Sequence, residues 1–75
     1  MSAKEMFEEL GYERFEYSGG IRYTNPDLEQ NIEFEYTEFI NIYNTCPNIK
    51  QDIEVLDLDE LQAINQQVKE LGWYE

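Results

Sequence analysis

Histidine is absent from this 75-residue chain. That removes the commonest general base, the serine and cysteine triads and most zinc sites. Cysteine occurs once, at Cys46, so no intramolecular disulfide can form. A lone thiol, with no apolar leader after Met1-Ser2-Ala3-Lys4-Glu5, is the pattern expected of a reducing, cytoplasmic compartment. Cys46 precedes Pro47 in a polar stretch, with no histidine or helix N-terminus beside it to activate it, and reads as a structural thiol. No apolar run approaches the ~18 residues of a membrane span. Gly19-Gly20 stands alone, without the Lys and Ser/Thr of a phosphate-binding loop. Basic residues number only five against 17 carboxylates, a net charge of −12. Direct nucleic-acid binding needs Lys and Arg to displace phosphate counterions, so this balance argues against it, as it does against anionic membrane surfaces. The expectation is a protein with no catalytic residues, no cofactor and no bound metal.

What the chain does have is aromatic side chains: six tyrosines, four phenylalanines and one tryptophan, within a hydrophobic content of 41%. Disordered acidic segments are poor in such residues, so a folded core is expected. At this length one domain, residues 1–75, burying ~60% of the unfolded chain's surface, is the natural unit.

The order of elements follows from local signals. Ser2-Ala3-Lys4-Glu5 is a capping box opening a short helix, with Ala3, Met6, Phe7 and Leu10 on one face and Gly11 at its end. Phe15 and Tyr17 alternate with Arg14 and Glu16 in a first strand. Ser18-Gly19-Gly20 reads as a turn using glycine's tolerance of positive φ, and Ile21-Arg22-Tyr23 as a second strand. Asn25-Pro26-Asp27 starts a loop. Asn31 to Tyr36 alternates apolar with polar or acidic and is the clearest strand; Thr37-Glu38 would turn it into Phe39–Tyr43, where Ile40/Ile42 and Phe39/Tyr43 compete for the core face. Asp52 to Leu56 reads as a short final strand. Asp57 and Glu60 form a second capping box, after which Leu61, Ile64, Val68 and Leu71 trace an apolar stripe ended by Gly72. Each helix ends in Leu-Gly-aromatic, the pattern of a Schellman cap in which Tyr12 packs on Phe7 and Trp73 on Val68. The fold class is therefore α+β: an N-terminal helix, an antiparallel meander of three to five strands and a C-terminal helix, both helices on one sheet face.

Such a sheet leaves its second face open. With Ile32, Phe34 and Tyr36 inward, Glu33 and Glu35 point outward, about 6.6 Å apart on strand geometry. Glu16 and Glu54, with Arg14, Arg22 and Asp52, are expected to join them, interleaved with Tyr12 or Tyr43. The candidate protein-binding residues are thus Glu16, Glu33, Glu35, Glu54 and Tyr43. Carboxylates beside aromatics imitate a phosphate backbone, and a basic groove would be drawn to them. Glu8, Glu9 and Glu70 sit at helix C-termini, where the macrodipole disfavours negative charge, as if net acidity had been kept over local stability. Two alternatives stand beside this reading. Phe39, Tyr43, Trp73 and Tyr74 could make a homodimer or larger assembly. Asp52, Glu54, Asp57, Asp59 and Glu60 supply the oxygen donors of a weak divalent-metal site, although no EF-hand glycine is in register and two of them are committed to capping.

The stretches Glu5 to Glu13, Ile21-Arg22-Tyr23, Ile32-Glu33-Phe34 and Asp59 to Trp73 together resemble small, acidic, uncharacterised phage and prophage proteins of low-GC Gram-positive bacteria. The resemblance implies a gene product of the bacterial host cytoplasm and brings no site residues with it. By analogy with small acidic phage inhibitors of host enzymes, the expected role is to bind a basic, nucleic-acid-handling protein.

Overall fold

A computed structural model describes residues 1–44 and 56–73. Helix α1 (Ala3–Glu9) is followed by strands β1 (Glu13–Tyr17), β2 (Gly20–Asn25), β3 (Gln30–Glu35) and β4 (Phe39–Asn44), then helix α2 (Leu58–Glu70). The strands form one antiparallel meander in sequence order. The expected strand at Asp52 to Leu56 falls largely outside the described residues, as do Cys46, Glu54 and Tyr74. No described helix is long and apolar enough to cross a membrane.

Both capping boxes form. Ser2 Oγ accepts from Glu5 N at 3.2 Å while Glu5 Oε1 accepts from Ser2 N at 3.0 Å. The same exchange links Asp57 and Glu60. Both helices close in Schellman geometry, with Gly11 at φ 94 and Gly72 at φ 75. Tyr12 N donates to Phe7 O at 2.9 Å and Trp73 N to Val68 O at 3.2 Å. Tyr12 packs edge-on against Phe7, 5.4 Å between centroids, whereas the Trp73 ring reaches Phe34 in the sheet, at 6.5 Å.

The two helices cover one sheet face and run antiparallel: Tyr12, just past the end of α1, meets Glu60 at the start of α2, and Glu70 near the end of α2 accepts from Ala3 N at 2.8 Å. Glu70, which its own helix dipole disfavours, thus satisfies an orphan N–H at the N-terminus of α1, where negative charge is favoured. The core between the layers holds Ala3, Phe7, Tyr12, Ile21, Tyr23, Ile32, Phe34, Ala63, Ile64 and Val68. Phe7 stacks on Tyr23 at 3.9 Å, and Phe34 stands edge-on to both.

Turn lengths fix which side chains join that core. The β1–β2 turn is the two residues Ser18 and Gly19, because Tyr17 already pairs with Gly20. Gly19 and Gly20 have no positive φ; Gly20 is needed for space. A Cβ on Gly20 would lie 2.1 Å from the Phe34 carbonyl oxygen, and one on Gly19 2.9 Å from the Tyr17 ring. The β3–β4 turn is the three residues Tyr36, Thr37 and Glu38, closed by Glu38 N to Glu35 O at 2.8 Å, with Glu38 left-handed at φ 74. Tyr36 therefore sits exposed in the turn, not in the core. This register places Ile40 opposite Phe34 and Ile42 opposite Ile32, so the isoleucines of β4 face the helices and Phe39 and Tyr43 face away.

Helix α2 is rotated from the expected stripe. Leu61 is 46% exposed, and the buried positions are Glu60, Ala63, Ile64, Gln67 and Val68. The polar members carry partners into the interior. Glu60 accepts from the Tyr12 hydroxyl, while Gln30 Nε2 donates to Tyr12 Oη at 3.0 Å; Gln67 Oε1 accepts from the Tyr23 hydroxyl at 2.5 Å. Burial and the adjacent Glu60 carboxylate raise the Tyr12 phenol well above its usual value, and burial lifts Tyr23 to about 12.

Candidate functional site

The sheet face turned away from the helices is a grid of three rows, read across β1 to β4. Tyr17, Gly20, Glu35 and Phe39 form the first row; Phe15, Arg22, Glu33 and Asn41 the second; Glu13, Thr24, Asn31 and Tyr43 the third. Of the expected site residues, the structure brings Glu33, Glu35 and Tyr43 together here. Glu54 lies outside the described residues. Glu16 does not belong to this face. It pairs with Ile21, whose side chain is buried under the helices, and so points to the helix side of the edge strand, where it holds Arg14 at 3.0 Å. Arg14 is on that side as well, and Tyr12 is in the core. The physical reason is parity: a two-residue turn after Tyr17 sets Phe15 opposite Arg22, whereas a three-residue turn would have set it opposite Tyr23 and inverted the strand.

That inversion brings two aromatics to the face that hydrophobic patterning assigned to the interior. Phe15 is 45% exposed and Tyr17 41%; across the sheet Phe39 is 63% and Tyr43 37% exposed. No signal in β1 alone finds them, because an apolar–polar alternation reads the same in either orientation.

The polar groups between these rings are organised. Glu33 accepts from two phenols approaching from opposite edges: Tyr17, reaching from β1 across β2, and Tyr43 of β4 at 3.1 Å. The hydrogen bond to Glu33 holds the Tyr17 phenol up at about 12, and burial together with the same carboxylate raises Tyr43. Both phenols therefore stay neutral donors at physiological pH. Arg22 lies over Phe15, with its guanidinium carbon 5.2 Å from the ring centroid and its Nε buried without a hydrogen-bond partner among the described residues. Thr24 Oγ1 donates to Asn31 Oδ1 at 2.7 Å, and Asn41 donates to Glu35 Oε2. A shallow cleft of about 400 Å³ runs beside Arg22, between Phe15 and Tyr43.

The result is an aromatic platform with fixed polar contacts. Tyrosines pinned at their hydroxyls offer large contact area with little rotamer entropy left to lose, which favours binding. Aromatic residues and arginine are also the types enriched where proteins meet. Among the described residues no group of three or more acidic or sulfur side chains is placed to hold a metal. Of the acidic cluster near α2, Asp52 and Glu54 lie outside the described residues, while Asp57 and Glu60 are engaged with each other in the capping box.

A second concavity, about 380 Å³, separates α1 from α2 and is lined by Met6, Leu10, Glu9, Asp59 and Gln62 with Met1 above. It is shallow and lacks the organised donors of the sheet face. No family model, no curated protein and no solved structure matches this chain.

Proposed function

We propose that this protein is a non-catalytic binding module whose open sheet face docks on a cationic surface of a partner protein, one that handles nucleic acid in the bacterial cytoplasm. The observation that carries the reading is the exposure of Phe15, Tyr17, Phe39 and Tyr43 on one sheet face together with Glu33 and Glu35. Both described helices lie on the other side. Net charge supplies the sign of the partner: a −12 chain speeds encounter with a basic surface and opposes face-to-face stacking with its own copy. A basic nucleic-acid site is the commonest surface of that kind, and the resemblance to phage proteins points the same way.

The experiment compares the tagged protein with two variants as bait in bacterial lysate, at low and moderate salt. Phe39→Ser with Glu35→Lys alters one exposed and one half-buried position of the open face, with the fold checked by circular dichroism; Glu8→Lys with Glu9→Lys alters charge by a larger amount on α1. The expected outcome is one basic protein retained by the wild type and the helix variant and lost with the face variant and with rising salt. Capture that follows total charge irrespective of location would end the reading. Sedimentation that shifts with the face variant, in protein alone, would replace it with self-assembly.

A further inference from the structure

We infer that two copies of this chain pair through β1 across a two-fold axis at Phe15, joining their sheets edge to edge. In the meander β1 is an edge strand, and among the described residues it pairs only with β2. Of the devices that blunt such an edge it lacks proline, lysine and a bulge: its five residues pair with β2 in unbroken register. All of them except Arg14 are exposed. Only its charges remain to discourage pairing, and these are arranged to match a second copy.

Turn geometry says which backbone groups are free. The two-residue turn makes Tyr17 and Gly20 a hydrogen-bonded pair. By alternation Phe15 and Glu13 also turn their N–H and C=O toward β2, so Arg14 and Glu16 turn theirs outward. An antiparallel copy of β1 can then be centred in three ways: Arg14 opposite Arg14, Glu16 opposite Glu16, or Arg14 opposite Glu16. The first two oppose like charges, which destabilises the pair; the third opposes unlike charges on both sides of the axis. In that register Phe15 meets its own copy at a non-hydrogen-bonded position, where side chains come closest, and Glu13 meets Tyr17. The strand is its own complement, as an isologous interface requires. The side chains are already disposed for it. Arg14 and Glu16 stand 3.0 Å apart on the helix side, with Glu16 62% exposed, so across the axis the four charges alternate in sign. Phe15, 45% exposed on the open face, would bury apolar surface without covering Phe39, Tyr43 or Glu35. The pairing is independent of the docking role and places two open faces side by side. The charge of −12 on each copy opposes association at low salt, and screening relieves it.

The test is sedimentation equilibrium of the full chain at physiological ionic strength, up to millimolar concentration. The expected result is a mass twice the 9.0 kDa of one chain. Arg14→Glu and Glu16→Arg each turn two attractive pairs into repulsive ones, and each should weaken the dimer by about tenfold. Mixed in equal amounts, the two single variants carry opposite charges at both positions and should form the dimer that neither forms alone. Recovery in the mixture also shows that both are folded, which circular dichroism verifies for each. The double variant, Arg14→Glu with Glu16→Arg, should dimerise like the wild type. A wild type that stays monomeric over the whole range overturns the inference. So does a dimer indifferent to both single variants, or a mixture of folded variants that does not associate. Loss of the dimer with Phe39→Ser would place the contact on the sheet face and overturn this inference and the docking reading together. None of the β1 variants alters Glu33, Glu35, Phe39 or Tyr43, so the lysate experiment reads the docking face separately.

Discussion

Gly20 is the residue on which the pairing of β2 with β3 turns. Its missing side chain lets β3 approach until Phe34 O occupies the space of a Cβ, at 2.1 Å. The obstruction is backbone in a central strand, which cannot swing aside as the end of a side chain would. Gly20→Ala is therefore expected to destabilise the fold by about 2–3 kcal/mol through overpacking, measured as a lowered urea midpoint. An alanine tolerated with no loss would mean that β2 and β3 can separate locally, and that the close approach is not required. The glycines at 19 and 20 are adjacent in sequence to a turn, so a role in turn conformation is the obvious inference; the requirement for space at Gly20 appears only once β3 is paired alongside. At 11 and 72 the inference from local sequence holds, because a Schellman cap involves nothing beyond its own helix end.

At the scale of elements, local chemistry was legible and parity was not. Capping boxes, helix ends and the meander follow from residues a few positions apart. The identity of the outer face follows from the count of residues in each turn, and one residue more or less inverts a whole strand. This is why the alternation of β3 places Glu33 and Glu35 on the open face, while the side taken by Glu16, and by Phe15 and Tyr17 opposite it, depends on the β1–β2 turn and not on β1 itself. Helix α2 departs from its apolar stripe for a related reason. Glu60 is recruited inward by Tyr12 and Gln67 by Tyr23, both tertiary partners, and the small Ala63 lets the helix sit close over the sheet. Leu61 is rolled outward as a consequence. The expected outcome is that Leu61→Gln changes stability by less than about 0.5 kcal/mol, whereas Ile64→Ala costs about 2–5 kcal/mol. Chemical denaturation of the two variants checks the rotation: a large loss at Leu61 would restore the stripe read from hydrophobicity alone.

For the whole molecule, the sensitive direction of pH is upward. Neutral tyrosines hold the two layers and the open face together: Tyr23 spans sheet to α2, Tyr12 reaches Glu60, and Tyr17 and Tyr43 converge on Glu33. Each phenol is raised in the fold above the 10.0 of a free tyrosine, Tyr17 and Tyr23 to about 12. The sign follows from proton counting. Above pH 10 the unfolded chain releases phenolic protons that the folded chain retains, so the unfolded state binds fewer protons and stability falls with rising pH. The contribution is complete below pH 10 and is lost between 10 and about 12, a window in which the charge of −12 also grows more negative and self-repulsion increases. The melting temperature should therefore hold steady up to pH 10 and then drop steeply. Tyr23→Phe should begin from a lower melting temperature, having left Gln67 without its donor, and then fall less steeply, because one retained proton has been removed from the balance. Absorbance of tyrosinate provides the decisive reading: for Tyr12 and Tyr23 it should appear together with loss of the far-ultraviolet dichroism. Full ionisation near pH 10 with the dichroism intact would mean that these phenols are not what joins the helices to the sheet.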